Sequence, residues 1–370
     1  MPNEIRYPRR GLIRQTMRFL ARGLLPALAE KKITGVENFP KKGPLIVVGN
    51  HTAAMEVVMM TVYAPWIIEF MGSIDIPHES FMALFINAYG FIPVFRGNVT
   101  LSSMKTGAEV LKQNGILGIF PEGGIWEPSI RRAQSGVAWL SYHGQSPILP
   151  IGFGSMQGAL KDMFSFKRPI LKMNIGQAMP PVQSQPGKPR KLHFQEEANR
   201  IMDAVWELIP EEDRVQEQVI ENEQFELLIE VEGQHGKTVP IPSELEMKNG
   251  QSLSKFVHRK TLITNFIQNM NMPEVAPLTC LADQPEIVEI ITATHSILSH
   301  LSHHNPYYFT YRYGQREGRA MEAGIRELHD LAHWVREHNL SLRVKPIRRY
   351  TDIVTGREIV LDRPEEFAKW

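Results

Sequence analysis

Leu45, Ile46, Val47 and Val48 run without a polar interruption into Gly49 and Asn50, and this boundary constrains the fold more than any other stretch of the chain. Four apolar residues, three of them β-branched, fit a buried strand, and the Gly-Asn pair ends it. His51 follows at once and Glu56 five positions later. A histidine at a strand end is held by the sheet and can still meet a substrate. Glu56 can curl back to the ring nitrogen that faces away from that substrate. It would fix the tautomer and stabilise the imidazolium formed when His51 takes a proton. Taken alone, such a pair is more often a polar loop with a carboxylate capping the next helix, so the stretches downstream decide.

Three further strand-to-turn boundaries follow. Gly90 to Arg96 reads as a strand whose last side chain is a lone arginine before Gly97, where it can grip a phosphate with two hydrogen bonds, although on its own such an arginine is more commonly a surface residue. Gly115 to Phe120 leads into Pro121-Glu122-Gly123-Gly124, and small residues there let backbone N–H groups approach an anion closely. Pro147 to Phe153 is an apolar strand with Pro150 inside it, which predicts an edge or a bulge. Between them, Val57 to Phe70 reads as a helix broken near Pro65. Phe81 to Tyr89, Thr100 to Asn114 and Leu192 to Ile209 read as further helices.

Composition narrows the class. The chain has 370 residues, room for roughly two domains. A formal net charge of +1 gives no overall attraction to nucleic acid. One cysteine, Cys280, excludes an intrachain disulfide framework and a cysteine-rich zinc site. Arginines interrupt the first apolar residues, unlike a secretory signal. The best candidate span, Val57 to Ile68, has 12 residues between Glu56 and Glu69, too few to cross a bilayer. The expectation is a protein peripheral to the cytoplasmic side of a membrane. The basic segment 1–32 supports it, with eight Lys or Arg against Glu4 and Glu30, a local charge of 8 − 2 = +6. Arg10, Arg14, Arg18 and Arg22 repeat every four residues beside an apolar stripe of Ile13, Met17, Leu20 and Leu24 that Leu12 and Phe19 widen. Such a helix suits an anionic membrane boundary, arginines among the headgroups and apolar side chains dipping in, or else packs on its own domain.

With the four blocks in view, residues 1 to about 210 resemble the glycerolipid acyltransferase superfamily, whose best-known members are the 1-acylglycerol-3-phosphate acyltransferases. The family's Asn-His with an Asp five residues on is matched by Asn50-His51 with Glu56 in the Asp position. Its Gly-Phe-Ile-x-Val-x-Arg is matched by Gly90 to Arg96, and its Phe-Pro-Glu-Gly-Thr by Phe120-Pro121-Glu122-Gly123 with Gly124 for Thr. Its proline-containing apolar strand is matched by Ile148-Leu149-Pro150-Ile151. Three departures stand out: Glu56 is one methylene longer than Asp; the Lys-Glu pair upstream of the second block is missing; Ser135 replaces a basic residue before Gly136.

The resemblance implies an α/β fold, a mixed sheet flanked by helices, and transfer of a fatty acyl group from acyl-CoA or acyl carrier protein to a glycerolipid hydroxyl, with neither metal nor resident cofactor. It implies that His51 and Glu56 are catalytic. Substrate contacts would come from Asn50, Arg96 on the acceptor phosphate, Phe120, Pro121, Glu122, Gly123 and Gly124, with Pro150 bordering the acyl region. No Gly-x-Ser-x-Gly elbow occurs, which argues against a serine lipase. A second reading keeps the fold without turnover, as a membrane-associated lipid- or acyl-carrier-binding protein.

The expected organisation is a basic amphipathic segment 1–32, an acyltransferase-like domain 33–210, an acidic linker or helix 211–224, and a smaller α+β domain 225–370 of no recognised family. Glu207 to Glu232 holds ten acidic residues and one basic, Arg214, which reads as a solvated face or linker. In the last domain, Phe225 to Val231 reads as a strand; Ser252 to Met270, Glu286 to His304 and Gly318 to His338 as helices; Ile353 to Val360 as a hairpin closed at Thr355-Gly356. The aromatic run Tyr307 to Tyr313 looks strand-like and suits a core. His329 and His333 stand at i, i+4, the spacing of a helical zinc pair, and His295, His300, His303 and His304 form a second cluster. Zinc would need a third ligand, and the sequence identifies none.

Overall fold

The computed structural model describes residues 5–73, 80–94, 101–122, 133–214, 220–233, 236–352 and 355–364. They form two compact units, one from residues before 218 and one from 218 onward. Of the segment expected as an acidic linker or helix, residues 211–213 are helical. They form a short turn on the first unit, where Asp213 accepts hydrogen bonds from the Ser155 amide and hydroxyl and from Lys172.

The first unit begins with α1 (Gly11–Leu28) and β1 (Glu30–Thr34), then β2 (Leu45–Gly49) and α2 (Met55–Tyr63). The helix expected over 57–70 stops at Tyr63. Pro65 denies the helix an amide, and residues 69–73 pair as β3 (Glu69–Ser73) instead. Then come α3 (Ser80–Tyr89), β4 (Ile92–Val94), α4 (Leu101–Lys112), β5 (Ile116–Ile119), α5 (Gly136–Gly144), β6 (Ile148–Gly154), α6 (Ala159–Phe164), β7 (Ile170–Ile175) and α7 (Arg190–Leu208). The strands form one sheet in the order β1-β7-β6-β2-β5-β3-β4. All adjacent pairs are parallel except β6–β7. The sheet is therefore mixed.

Alternation along β2 builds two cores. Leu45 and Val47 face Met55, Met59 and Phe70, whereas Ile46 and Val48 face Leu111, Val137 and Ile201. Both faces are covered by helices, which is why β2 is apolar at every position.

The arginine stripe of α1 points the other way from the membrane expectation. Arg14 is fully buried and forms a double ion pair with Glu69, itself fully buried. Arg10 and Arg14 donate to the last carbonyls of α3, at Asn87, Ala88 and Tyr89, and Arg14 also reaches Gly90. Arg18 and Arg22 donate to Ala64 and Val62 at the end of α2. Unpaired carbonyls at helix C-termini attract cations, so the stripe finds its partners inside the unit. Most of the apolar stripe is left outside, with Leu12 80% exposed, Phe19 77%, Leu20 62% and Leu24 60%, while Met17 packs against the core. Among the described residues, no helix is long and apolar enough to cross a membrane.

The second unit holds an antiparallel sheet of β8 (Ile220–Glu232), β9 (Ser341–Asp352) and β10 (Arg357–Leu361), in the order β10-β9-β8. The helices α8 (Gly250–His258), α9 (Lys260–Thr264), α10 (Ile287–His303) and α11 (Tyr308–Glu337) share a core built on Phe256, Phe266, Ile297, Leu328 and Val344. The aromatic run is helical rather than strand-like. Tyr308 and Phe309 open α11 and are buried, so packing on one face overrides the β preference of aromatics.

Candidate active site

β2 and β5 are neighbours and parallel, so both deliver their C-terminal ends to one edge of the sheet. His51 leaves the end of β2 and Phe120-Pro121-Glu122 the end of β5. Gly49 makes room for this: a Cβ there would lie 2.7 Å from the Phe153 ring and 3.1 Å from the Met60 methyl. Asn50 is buried and clamps β6. Its Nδ2 donates to the Phe153 carbonyl at 3.1 Å, and its Oδ1 accepts from the Phe153 amide at 2.7 Å. Both ends of its amide thus bond the scaffold and extend the β2–β6 ladder by one rung.

The His51 ring stacks on Phe120 with centroids 4.3 Å apart and planes at 19°. Its side chain is 20% exposed, so the sheet edge leaves it reachable. Glu56, fully buried in the first turn of α2, folds back over the loop. Its Oε1 accepts from the Thr52 amide at 2.9 Å, the Thr52 hydroxyl at 2.7 Å and the Ala53 amide at 2.9 Å. Its Oε2 accepts from the Ala53 amide at 3.0 Å and lies 3.6 Å from Nδ1 of His51. That last distance is an ion-pair contact, slightly long for a hydrogen bond. The extra methylene of Glu is accommodated by this fold-back.

Glu122 reaches the His51 main chain, where its Oε1 accepts the amide at 3.2 Å. Burial pushes its carboxyl up to about 8; the bond from the His51 amide opposes this and the Glu56 charge adds to it. Glu122 therefore holds its proton at neutral pH. The two carboxyl groups thus hold different parts of His51: Glu56 stands beside Nδ1 of the ring, and Glu122 bonds the main-chain amide. Pro121 is buried, its carbonyl accepting the Gln134 amide at 2.7 Å.

Pro150 sits inside the sheet, paired with Val48. The sheet tolerates it because of a bulge on the β7 side. Between the Ile148–Met179 bridge and the Ile151–Ile175 pair, residues 149–150 of β6 face residues 176–178, two against three. The missing N–H falls in that irregular gap. Arg96, Gly123 and Gly124 lie outside the described residues. Of the expected site residues, then, Glu56 and Phe120 lie against the His51 ring and Glu122 bonds the His51 amide, with Asn50 and Pro150 fixed in the adjoining strands. Sequence reasoning passed over Thr52 and Phe153. A hydroxyl four residues before a helical carboxylate was a signal for Thr52, whereas backbone bonds at Phe153 leave no trace in the sequence.

In the second unit, the His329 and His333 rings are 4.7 Å apart and His295 is 5.9 Å from His329. His329 Nδ1 shares a hydrogen bond with the Thr294 hydroxyl at 3.0 Å. Among the described residues, no group of three or more His, Cys, Asp or Glu could hold a metal ion.

Residues 30–154, which span all four blocks, match the family model described as Acyltransferase. A 1-acyl-sn-glycerol-3-phosphate acyltransferase of Bacillus subtilis (strain 168) is 26% identical over 149 residues, 40% of this chain and 73% of that protein. A protein of the same description from Borreliella burgdorferi is 33% identical over 95 residues, 25% of this chain and 37% of that protein. Among solved structures, the 1-acyl-sn-glycerophosphate (LPA) acyltransferase PlsC of Thermotoga maritima aligns over 53% of this chain and 82% of its own, with 15% identity and a TM-score of 0.37.

Proposed function

We propose that this chain, which belongs to the glycerolipid acyltransferase superfamily and is an acyltransferase, moves a fatty acyl group from a thioester donor to a hydroxyl of a glycerolipid such as 1-acylglycerol-3-phosphate. The observation that carries the reading is the partly exposed His51 at a strand end, backed by the buried Glu56 at 3.6 Å and stacked on Phe120. His51 takes the proton of the acceptor hydroxyl as its oxygen attacks the thioester carbonyl. The carbon–sulfur bond then breaks, and the imidazolium returns the proton to the departing thiolate. Such a base contributes roughly 10²–10⁴ in rate. Glu56 opposes the charge that forms on the ring. The thioester is already activated, so no acyl-enzyme is needed. Acyl-CoA and acyl carrier protein both supply the required bond.

The same reading places the enzyme peripherally on the cytoplasmic face of a membrane, where thioester donors and a lipid acceptor can both reach it. The support for this is the outward face of α1, which offers Leu12, Ile13, Phe19, Leu20 and Leu24 to a bilayer and carries no acidic residue. The test is release of free thiol from acyl-CoA, or from acyl carrier protein, in the presence of lysophosphatidic acid. His51→Ala is expected to lower turnover by about a thousandfold without unfolding the chain. A His51→Ala protein with full activity removes the general-base role; no thiol release by the wild type with any of a panel of glycerolipid acceptors removes the reaction.

A further inference from the structure

We propose that Thr52 is a positioning residue for this reaction: its hydroxyl fixes the Glu56 carboxylate so that Oε2 faces Nδ1 of His51. The inference rests on the reading of His51 as the base. A glutamate has one more rotatable bond than an aspartate, so a Glu in this position needs more restraint to present one oxygen to the ring. The structure supplies it on the opposite oxygen. Oε1 receives three donors, two of them from Thr52, and the hydroxyl bond at 2.7 Å is the shortest. With Oε1 held by these donors and Oε2 by the Ala53 amide at 3.0 Å, the planar carboxylate is restrained about its last bond, and Oε2 lies 3.6 Å from the imidazole.

Backbone amides would be present whatever residue stood at 52 and 53. The hydroxyl is the part of the restraint that depends on residue type. A β-branched side chain adds to it, because its χ1 is already confined. The proton on Nδ1 is then the favoured tautomer, and Nε2 is left as the basic nitrogen. A loop staple with no catalytic consequence would also use such a bond, but it would act on stability rather than on the imidazole.

The experiment uses the full chain as wild type, Thr52→Val and Thr52→Ser. Two-bond ¹H–¹⁵N spectra of the imidazoles, with the His51 signals assigned by their loss in His51→Gln, report the tautomer at about pH 9, where a free imidazole is neutral. The wild type is expected to carry the proton on Nδ1. Thr52→Val should show a mixture of tautomers, and Thr52→Ser should return to the wild-type pattern. In thiol-release kinetics, Thr52→Val should lose about tenfold in kcat with KM within about twofold, and Thr52→Ser should recover most of it. A Thr52→Val protein with the wild-type imidazole spectrum overturns the proposal, as does one with wild-type kcat. A wild-type chain that releases no thiol sinks the acyl-transfer reading instead, and the spectra still decide on Thr52.

Discussion

Replacing Arg14 by Met should loosen α1 from its own unit. The side chain is fully buried and donates at 2.5 and 2.9 Å to the two oxygens of Glu69 and at 2.9 Å to the carbonyls of Tyr89 and Gly90. Methionine fills much of the volume but leaves Glu69 facing its desolvation with Arg9 alone. Breaking one side of a buried ion pair costs roughly 3–5 kcal/mol. Arg9 still reaches Glu69 at 2.8 Å, so the lower end, about 3 kcal/mol, is expected here. Hydrogen exchange read by mass spectrometry on peptides from α1 and β3 reports this opening without interference from the second unit. At constant pH the exchange of those peptides should rise on the order of a hundredfold. A double variant, Arg14→Met with Glu69→Leu, should recover much of the loss, because an apolar pair can replace a buried ionic one. Acid adds a check on sign. Burial pushes Glu69 up, but the bonds and charge of Arg14, with the bonds of Arg9, outweigh it and hold the carboxyl below its ordinary 4.5. Its contribution is therefore complete above pH 4.5 and lost as pH falls through the lower folded value, and Arg14→Met should move that loss to higher pH. Exchange in α1 that changes less than about threefold would refute the reasoning. So would an Arg14→Met protein that loses vesicle binding while α1 stays protected, which is what an arginine among headgroups would give.

The other expectations concern the site and the exposed face. Glu56→Gln should lower kcat by about 10–100-fold and Glu56→Asp by less than tenfold, since the amide turns an NH₂ toward donors while Asp keeps the charge; equal thiol-release rates for Gln and wild type would count against Glu56. Glu122 binds a proton in the folded chain up to about pH 8, whereas an unfolded one loses it near 4.5. Its contribution is thus full below 4.5 and lost as pH rises to about 8, and Glu122→Gln should remove this alkaline decline in Tm; an unchanged pH dependence would show that Glu122 is ionised at neutral pH. Phe19→Glu with Leu20→Glu should weaken co-sedimentation with phospholipid vesicles by roughly a hundredfold, at about 1–2 kcal/mol per apolar side chain. Binding by the wild type that vanishes in moderate salt would instead point to a basic contact surface.

Strand ends were the most legible part of this sequence. Leu45–Val48 and Gly115–Phe120 announce both a buried strand and the turn that follows, and the structure brings His51, Glu56, Phe120 and Glu122 together at those two ends. Periodicity located α1 as well but could not orient it. A stripe of arginines and a stripe of apolar residues give the same amphipathic pattern whichever faces inward. The choice was made by carbonyls at Val62, Ala64, Asn87, Ala88, Tyr89 and Gly90, which no side chain advertises. The clamp that Asn50 makes on β6 was hidden for a similar reason, since its partners are the main chain of Phe153. The fate of Tyr307 to Tyr313 also escaped, because aromatics that favour strands follow the packing of α11.

The four arginines of the stripe, Arg10 at the start of α1 and Arg14, Arg18 and Arg22 within it, have a practical corollary. They tie the tail of α2, the helix that leaves the His51 loop, to the tail of α3, the helix that precedes β4. Anyone preparing a better-behaved fragment would be tempted to trim this greasy leading helix away. Doing so would take out a tie-beam along with the grease, uncapping two helices and stranding Glu69. Repainting its outer side with polar residues would keep the joinery whole.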